Sequence, residues 1–302
     1  ATYGHVAKPN FSQDYHFLGG QFVMNVRTNS AGLRDAEIVP PSEGQKTILF
    51  VGDSFTFGFG ANIEERFDTR LRAKLEHAGY DFRYINAGVD GWGTLQATQF
   101  ARDNFGAFQP DIVVLTFCEN DPYDNAYYLE NKETFGSVRL PLKQVFRRYL
   151  HLYRLVQYVH WVNTHKASIN GLAVSEGDPT EAMPDPQRLL TIPDHLWPTT
   201  RQAIVDFHAE LKRFNPDAVL LIQASAPTSH DIRNRLKSLD NGNDLLYVDM
   251  HDTASKMTLE QRRLTFDPHW SPAMQEVSAQ HLSDEIVRLE CREQDASLRN
   301  IA

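Results

Sequence analysis

Thr47-Ile48-Leu49-Phe50-Val51-Gly52-Asp53-Ser54-Phe55-Thr56-Phe57-Gly58-Phe59-Gly60 is the stretch on which the reading of this chain turns. Its apolar run is too short for a helix and predicts a strand covered on both faces, the pattern of a central parallel strand. The run flows into Gly52-Asp53-Ser54 and then into a turn spaced by glycines. In open α/β sheets, chemistry gathers just beyond the carboxyl ends of such strands. Ser54 therefore stands where a nucleophile would stand. Asp53 and Ser54 are also ordinary residues for capping a helix, and this stretch alone leaves both readings open.

Beyond Ser54, Phe67, Leu71 and Leu75 recur at helical spacing over residues 64–77, and the pattern stops at Gly79. Phe82 to Asn86 predicts a second strand. It ends in Asn86-Ala87-Gly88-Val89-Asp90-Gly91-Trp92-Gly93, whose glycines point to close backbone approach or positive φ. A helix over 94–105 leads to a third strand, Ile112 to Phe117, ending in Cys118-Glu119-Asn120-Asp121-Pro122. This is the strand–helix alternation of a parallel sheet with right-handed crossovers. The rhythm resumes with a helix over 199–214, a strand over 218–224, a helix over 231–239 and a fifth strand over 245–250. A loop holding Asp267-Pro268-His269-Trp270 and a closing helix over 273–290 complete the chain.

Residues 1–46 show no helical period. Phe22 to Arg27 alternates as a strand, and Pro40-Pro41-Ser42-Glu43-Gly44 reads as a linker. We expect an N-terminal arm packed on a main domain of residues 47–302, interrupted by an insertion at about 123–200. Within the insertion, Val145, Tyr149, Leu152, Leu155, Val156 and Val159 recur at intervals of three and four, predicting an amphipathic helix over 142–162. The basic residues Lys143, Arg147, Arg148, His151 and Arg154 read as its solvated face, with a membrane surface or an anionic ligand as the alternative. Residues 166–198 read as a loop.

Length and composition narrow the class. A chain of 302 residues with 41% hydrophobic content can bury a full core. A net charge of −9 gives nucleic-acid binding little footing. The two cysteines, Cys118 and Cys291, offer neither a disulfide framework nor zinc spacing. No apolar run is long enough to span a bilayer and no signal peptide is present. The chain opens at Ala1, not methionine. We therefore expect a removed N-terminal segment, with membrane association through it and an extracytoplasmic or membrane-anchored home; oligomeric state stays open.

Polar residues stand at successive strand ends: Ser54, Gly91 and Asn120, then Asp267 and His269 near the end of the chain. In this order they resemble the SGNH hydrolase superfamily, the GDSL-type esterases, over roughly residues 47–290. Gly52-Asp53-Ser54-Phe55 is similar to the first block of that family and Asn86 to Gly91 to the second. Glu119-Asn120-Asp121 is similar to the third, and Asp267-Pro268-His269 to the last. The resemblance implies a flavodoxin-like three-layer α/β/α sandwich on a five-stranded parallel sheet. It also implies Ser54 as nucleophile, His269 as its base and Asp267 as the acid that holds the base. The main-chain amides of Ser54 and Gly91 and the side-chain amide of Asn120 would form the oxyanion hole, with no cofactor and no metal.

The chemistry needs these residue types. A serine hydroxyl is a weak nucleophile until a neighbouring base takes its proton, and a tetrahedral oxyanion needs preorganised donors. The chain departs from the family pattern at Phe55, which replaces leucine and is expected to affect packing only, and at Cys118, which replaces a glycine. Its acid stands two residues before the histidine, as in a family branch that includes polysaccharide O-acetylation enzymes with Asp-x-His-Trp. His251-Asp252 is a rival pair without a matching block, and Asn120-Asp121-Pro122, with Asp124, reads equally as a turn. The implied activity is hydrolysis of a short-chain carboxylic ester of a carbohydrate or small metabolite. Transfer of the acyl group to a sugar hydroxyl and a non-catalytic binding module are the alternatives.

Overall fold

The computed structural model describes residues 3–17, 22–133, 192–264 and 267–301. In the arm, β1 (Ser12–Phe17) and β2 (Phe22–Arg27) pair antiparallel. Five strands then form a parallel sheet: β3 (Lys46–Gly52), β4 (Phe82–Asn86), β5 (Ile112–Phe117), β6 (Val219–Ala224) and β7 (Leu245–Tyr247). Their spatial order is β4-β3-β5-β6-β7, the doubly wound order of the expected flavodoxin-like fold, with its switch point between β3 and β5.

Two cores follow from strand alternation. Leu49, Val51, Val113, Leu115, Leu220 and Ile222 pack against the helices Thr94–Asp103, Trp197–Phe214 and His230–Lys237. Ile48, Phe50, Val114 and Leu221 face the other way, onto the helices Phe67–His77 and Pro272–Ile301. The sheet is thus covered on both faces, giving three layers, which is why β3 reads as an uninterrupted apolar run. Ile48 to Val51 are fully buried, and burying each such side chain stabilises by about 1.5–3 kcal/mol.

The N-terminal arm is bound to the segment that follows β3 through Arg34. Its buried guanidinium donates to the carbonyls of Phe57, Gly58, Asn25 and Ala61 at 2.8–3.0 Å. It has no carboxylate in that set. Burial, with Arg66 nearby, lowers its pKa to about 10, so it stays charged and acts as a four-fold donor that joins β2 to residues 57–61. Asp35 Oδ2 accepts from the main-chain N–H of Asn86 at 2.6 Å.

Four local readings change. Asn120-Asp121-Pro122 opens a helix, Asp121–Asn131, because Pro122 stands at its first turn, where a proline costs no hydrogen bond. Asp267-Pro268-His269-Trp270 is a strand, β9 (Asp267–Trp270), paired antiparallel with the two-residue β8 (Arg263–Leu264). The last sheet strand ends at Tyr247, and the closing helix runs on to Ile301. The amphipathic helix read at 142–162, its basic face and most of the loop read at 166–198 lie outside the described residues. No helix among the described residues is long and apolar enough to cross a membrane.

Candidate active site

Gly52 ends β3 at φ +150°, and a Cβ there would lie 2.8 Å from the carbonyl oxygen of Thr116 on β5. Only glycine lets β3 turn away this close to its neighbour. Asp53 then caps the short helix Ser54–Phe57, its Oδ1 accepting from Phe55 N–H at 2.9 Å. The capping reading is therefore realised by Asp53, which leaves the Ser54 side chain free of that task. Ser54 is 8% exposed at the carboxyl edge of the sheet.

The structure brings Ser54, His269 and Asp267 into one chain of hydrogen bonds. His269 Nε2 lies 2.6 Å from Ser54 Oγ across 215 residues of sequence. Its Nδ1 meets Asp267 Oδ1, and the same oxygen accepts the main-chain N–H of His269 at 3.0 Å. A carboxylate can only accept, so Nδ1 carries the proton and Nε2 is left as an acceptor facing the serine hydroxyl. Burial pushes the Asp267 carboxyl up, but the two bonds from His269 outweigh it and hold the group below its ordinary value. Asp267 is therefore ionised wherever the imidazole can act as a base.

The strand β9 is fixed from behind. Trp270 is buried, donates Nε1–H to Ser225 O at 2.7 Å and packs edge-on against Phe55 and Phe67. Around the imidazole, Phe55 and Phe59 lie 4.8 and 4.6 Å away, ring centre to ring centre, tilted by 36° and 35°. The packing expected of Phe55 thus includes the candidate base, against which its ring forms one wall. A leucine-to-phenylalanine change at this position was the available signal. His251 turns away, with Nδ1 against Pro227 O at 3.0 Å, so the rival pair plays no part in the relay.

Gly91 sits at φ +78° in the turn Val89 to Trp92, which is closed by Trp92 N–H on Val89 O at 3.2 Å. Among the described residues no group accepts from the main-chain N–H of Ser54 or of Gly91, leaving both donors open. Asn120 is exposed, and its Nδ2 donates to Asp124 Oδ2 at 2.7 Å. Because that carboxylate only accepts, the contact sets which end of the amide is the NH₂ and leaves its second hydrogen unclaimed. Asp121, read as a turn residue, is buried instead and accepts from Thr94 Oγ1 at 2.6 Å and Cys118 N at 3.2 Å. It ties the loop after β4 to the end of β5. Asn86 ties the same loop to the helix that carries Ser54, donating to Thr56 O at 2.8 Å while its own Oδ1 accepts from Gly88 N at 3.0 Å.

Two buried carboxyls beside the site, Asp53 and Asp121, are pushed up by burial. Asp53 Oδ2 has no partner among the described residues, and burial raises this group from 3.8 to about 7 against the pull of Phe55 N–H, His269 and Cys118. A group that binds its proton more tightly when folded stabilises the native state at low pH and loses that contribution as pH rises. Here the loss runs from about pH 4 to about pH 7. Asp53→Asn is expected to remove that segment: its melting temperature should fall less than the parent's between about pH 5 and pH 8. Thermal scans at the two pH values check this, and parallel slopes would place the strain elsewhere.

Among the described residues no group of acidic, histidine or cysteine side chains could hold a metal ion. The model of a GDSL-like lipase/acylhydrolase family matches residues 50–277. Among solved structures, the chain is similar to a family 3 carbohydrate esterase of Clostridium thermocellum, with 14% identity, 81% of this chain and 98% of that one covered, and TM-score 0.47. It is also similar to the psychrotrophic esterase EstA of a Pseudoalteromonas species, inhibited there by monoethylphosphonate, at 13% identity, 81% and 98% coverage and TM-score 0.47. A lipase/acylhydrolase of Enterococcus faecalis gives 13% identity, 80% and 95% coverage and TM-score 0.46. No curated protein sequence matches the chain.

Proposed function

The chain belongs to the GDSL-like lipase/acylhydrolase family, and on that premise we propose that it hydrolyses carboxylic esters of a carbohydrate or small metabolite, carrying a short acyl group such as acetyl, through an acyl-Ser54 intermediate. The observation that carries this reading is the 2.6 Å contact between His269 Nε2 and Ser54 Oγ, with Asp267 on the opposite ring nitrogen. As Ser54 Oγ attacks the carbonyl carbon, its proton passes to His269 Nε2, and Asp267 stabilises the imidazolium that forms. The carbonyl oxygen becomes an oxyanion, received by the N–H groups of Ser54 and Gly91 and by the Asn120 amide. Collapse breaks the bond to the alcohol oxygen, which leaves with the proton from Nε2. Water then repeats the sequence on the acyl-serine, returning the free acid and the starting serine. The residues that act here are all supplied by this chain, with no cofactor in any step.

A panel of chromogenic esters of increasing acyl length, run with and without added oligosaccharide, tests the reading. Turnover is expected to be highest for the shortest acyl groups and to release free acid in both conditions. Acylated sugar in excess of free acid would reassign the second half-reaction to transfer. Absence of turnover together with no labelling of Ser54 by a fluorophosphonate would leave a binding module.

A further inference from the structure

We infer that His5, in the N-terminal arm, is a positioning residue for the oxyanion hole of the proposed ester hydrolysis: it holds the Asp90–Gly91 peptide so that the Gly91 N–H faces the nucleophile. His5 Nε2 lies 2.7 Å from Asp90 O. A carbonyl only accepts, so Nε2 donates. Asp90 C=O and Gly91 N–H belong to one trans peptide and point in opposite directions. Gripping the oxygen from the His5 side therefore aims the hydrogen away from His5. Among the described residues, nothing accepts from that N–H.

The turn needs such a brace. Gly91 stands at the third position of a four-residue turn with φ +78°, where a rotation of the preceding peptide plane converts one turn type into another. Glycine accepts either sign of φ with little penalty, so the residue that permits the donor's orientation does not enforce it. A bond to the carbonyl enforces it, and it also polarises the peptide so that its N–H is a stronger donor. The ring of His5 is in van der Waals reach of Gly91, 3.8 Å from where a Cβ would stand.

The arm is itself anchored for this task. Trp92, fully buried, donates Nε1–H to His5 O at 2.9 Å, and Gln96 Nε2 donates to Tyr3 O at 2.8 Å. Tyr3 donates its hydroxyl to Asp103 Oδ2 at 2.8 Å and sets its ring against Phe100 and Trp92, with centroids at 5.3 and 5.8 Å. His5 lies outside residues 50–277, the span of the family match, so this brace is a contribution of the arm.

His5→Ala and His5→Gln, compared with the parent and with Ser54→Ala, test the assignment. In His5→Ala, kcat for an acetyl ester should fall at least about tenfold while KM stays within about twofold, as expected for a donor used in the transition state. Affinity for a boronic acid, which adds Ser54 Oγ to give a tetrahedral anion, should fall by a similar factor. His5→Gln keeps an N–H donor and should recover most of both. All variants are assayed well below their thermal midpoints. If Ser54→Ala is inactive but His5→Ala matches the parent, the positioning role is overturned and the hydrolase reading stands. A loss of kcat without loss of boronate affinity, or without rescue by glutamine, also overturns it. If Ser54→Ala is fully active, the hydrolase reading falls and His5 with it.

Discussion

Ser54→Ala is expected to lower kcat on an acetyl ester by roughly 10⁴-fold or more, with the far-ultraviolet dichroism and melting temperature of the parent retained. The size follows from what the hydroxyl does. Without Oγ no acyl-enzyme forms, and what remains is water oriented by the oxyanion donors. The fold survives because the backbone bonds of this turn do not use the side chain. Gly58 N and Phe59 N both donate to Ser54 O, at 3.0 and 2.9 Å, and the Asp53 cap contacts Phe55. Oγ is bonded to His269 alone among the described residues. The variant should also resist fluorophosphonate labelling. Turnover within tenfold of the parent would remove Ser54 from the chemistry and, with it, the acyl-enzyme.

Much of this site was legible in the sequence because its parts sit at strand ends. A central parallel strand is apolar on both faces, so its last residues stand out when they turn polar, as they do at Ser54 and Asn120. The meeting of Ser54 with His269 was legible only through the resemblance, since nothing in local periodicity fixes a contact across 215 residues. The supporting structure was harder to read. Asp121 looks like a turn residue because Asn-Asp-Pro favours turns, yet the same proline suits a first helical turn and Thr94 supplies a partner for the buried carboxyl group. Asp267 to His269 looks like loop because Pro268 weakens a strand, but a two-strand ribbon anchored by Trp270 tolerates it. Arg34 and His5 gave no signal at all. Their targets are main-chain carbonyls, and a carbonyl leaves no mark on the residue that carries it.

Asp267→Asn and Asp267→Ala should differ, and the difference reads the geometry of the acid. One oxygen, Oδ1, accepts both the main-chain N–H of His269 and the ring Nδ1. An asparagine must offer its own oxygen to that main-chain N–H or leave the donor without a partner. Its Oδ1 should therefore stay in place, and the imidazole should keep its proton on Nδ1, with Nε2 still free to take the proton of Ser54. Only the charge is lost. Losing one preorganised electrostatic partner of transition-state charge commonly costs about 10²–10³ in kcat, and a fall of that size is expected here. Alanine removes the acceptor as well, frees the ring to take the other tautomer, and should cost roughly 10⁴. Stopped assays of both variants at neutral pH, with KM measured for each, separate these values. Equal losses would show that asparagine turns its NH₂ to the ring, which would mean that the main-chain N–H does not hold the side chain in register.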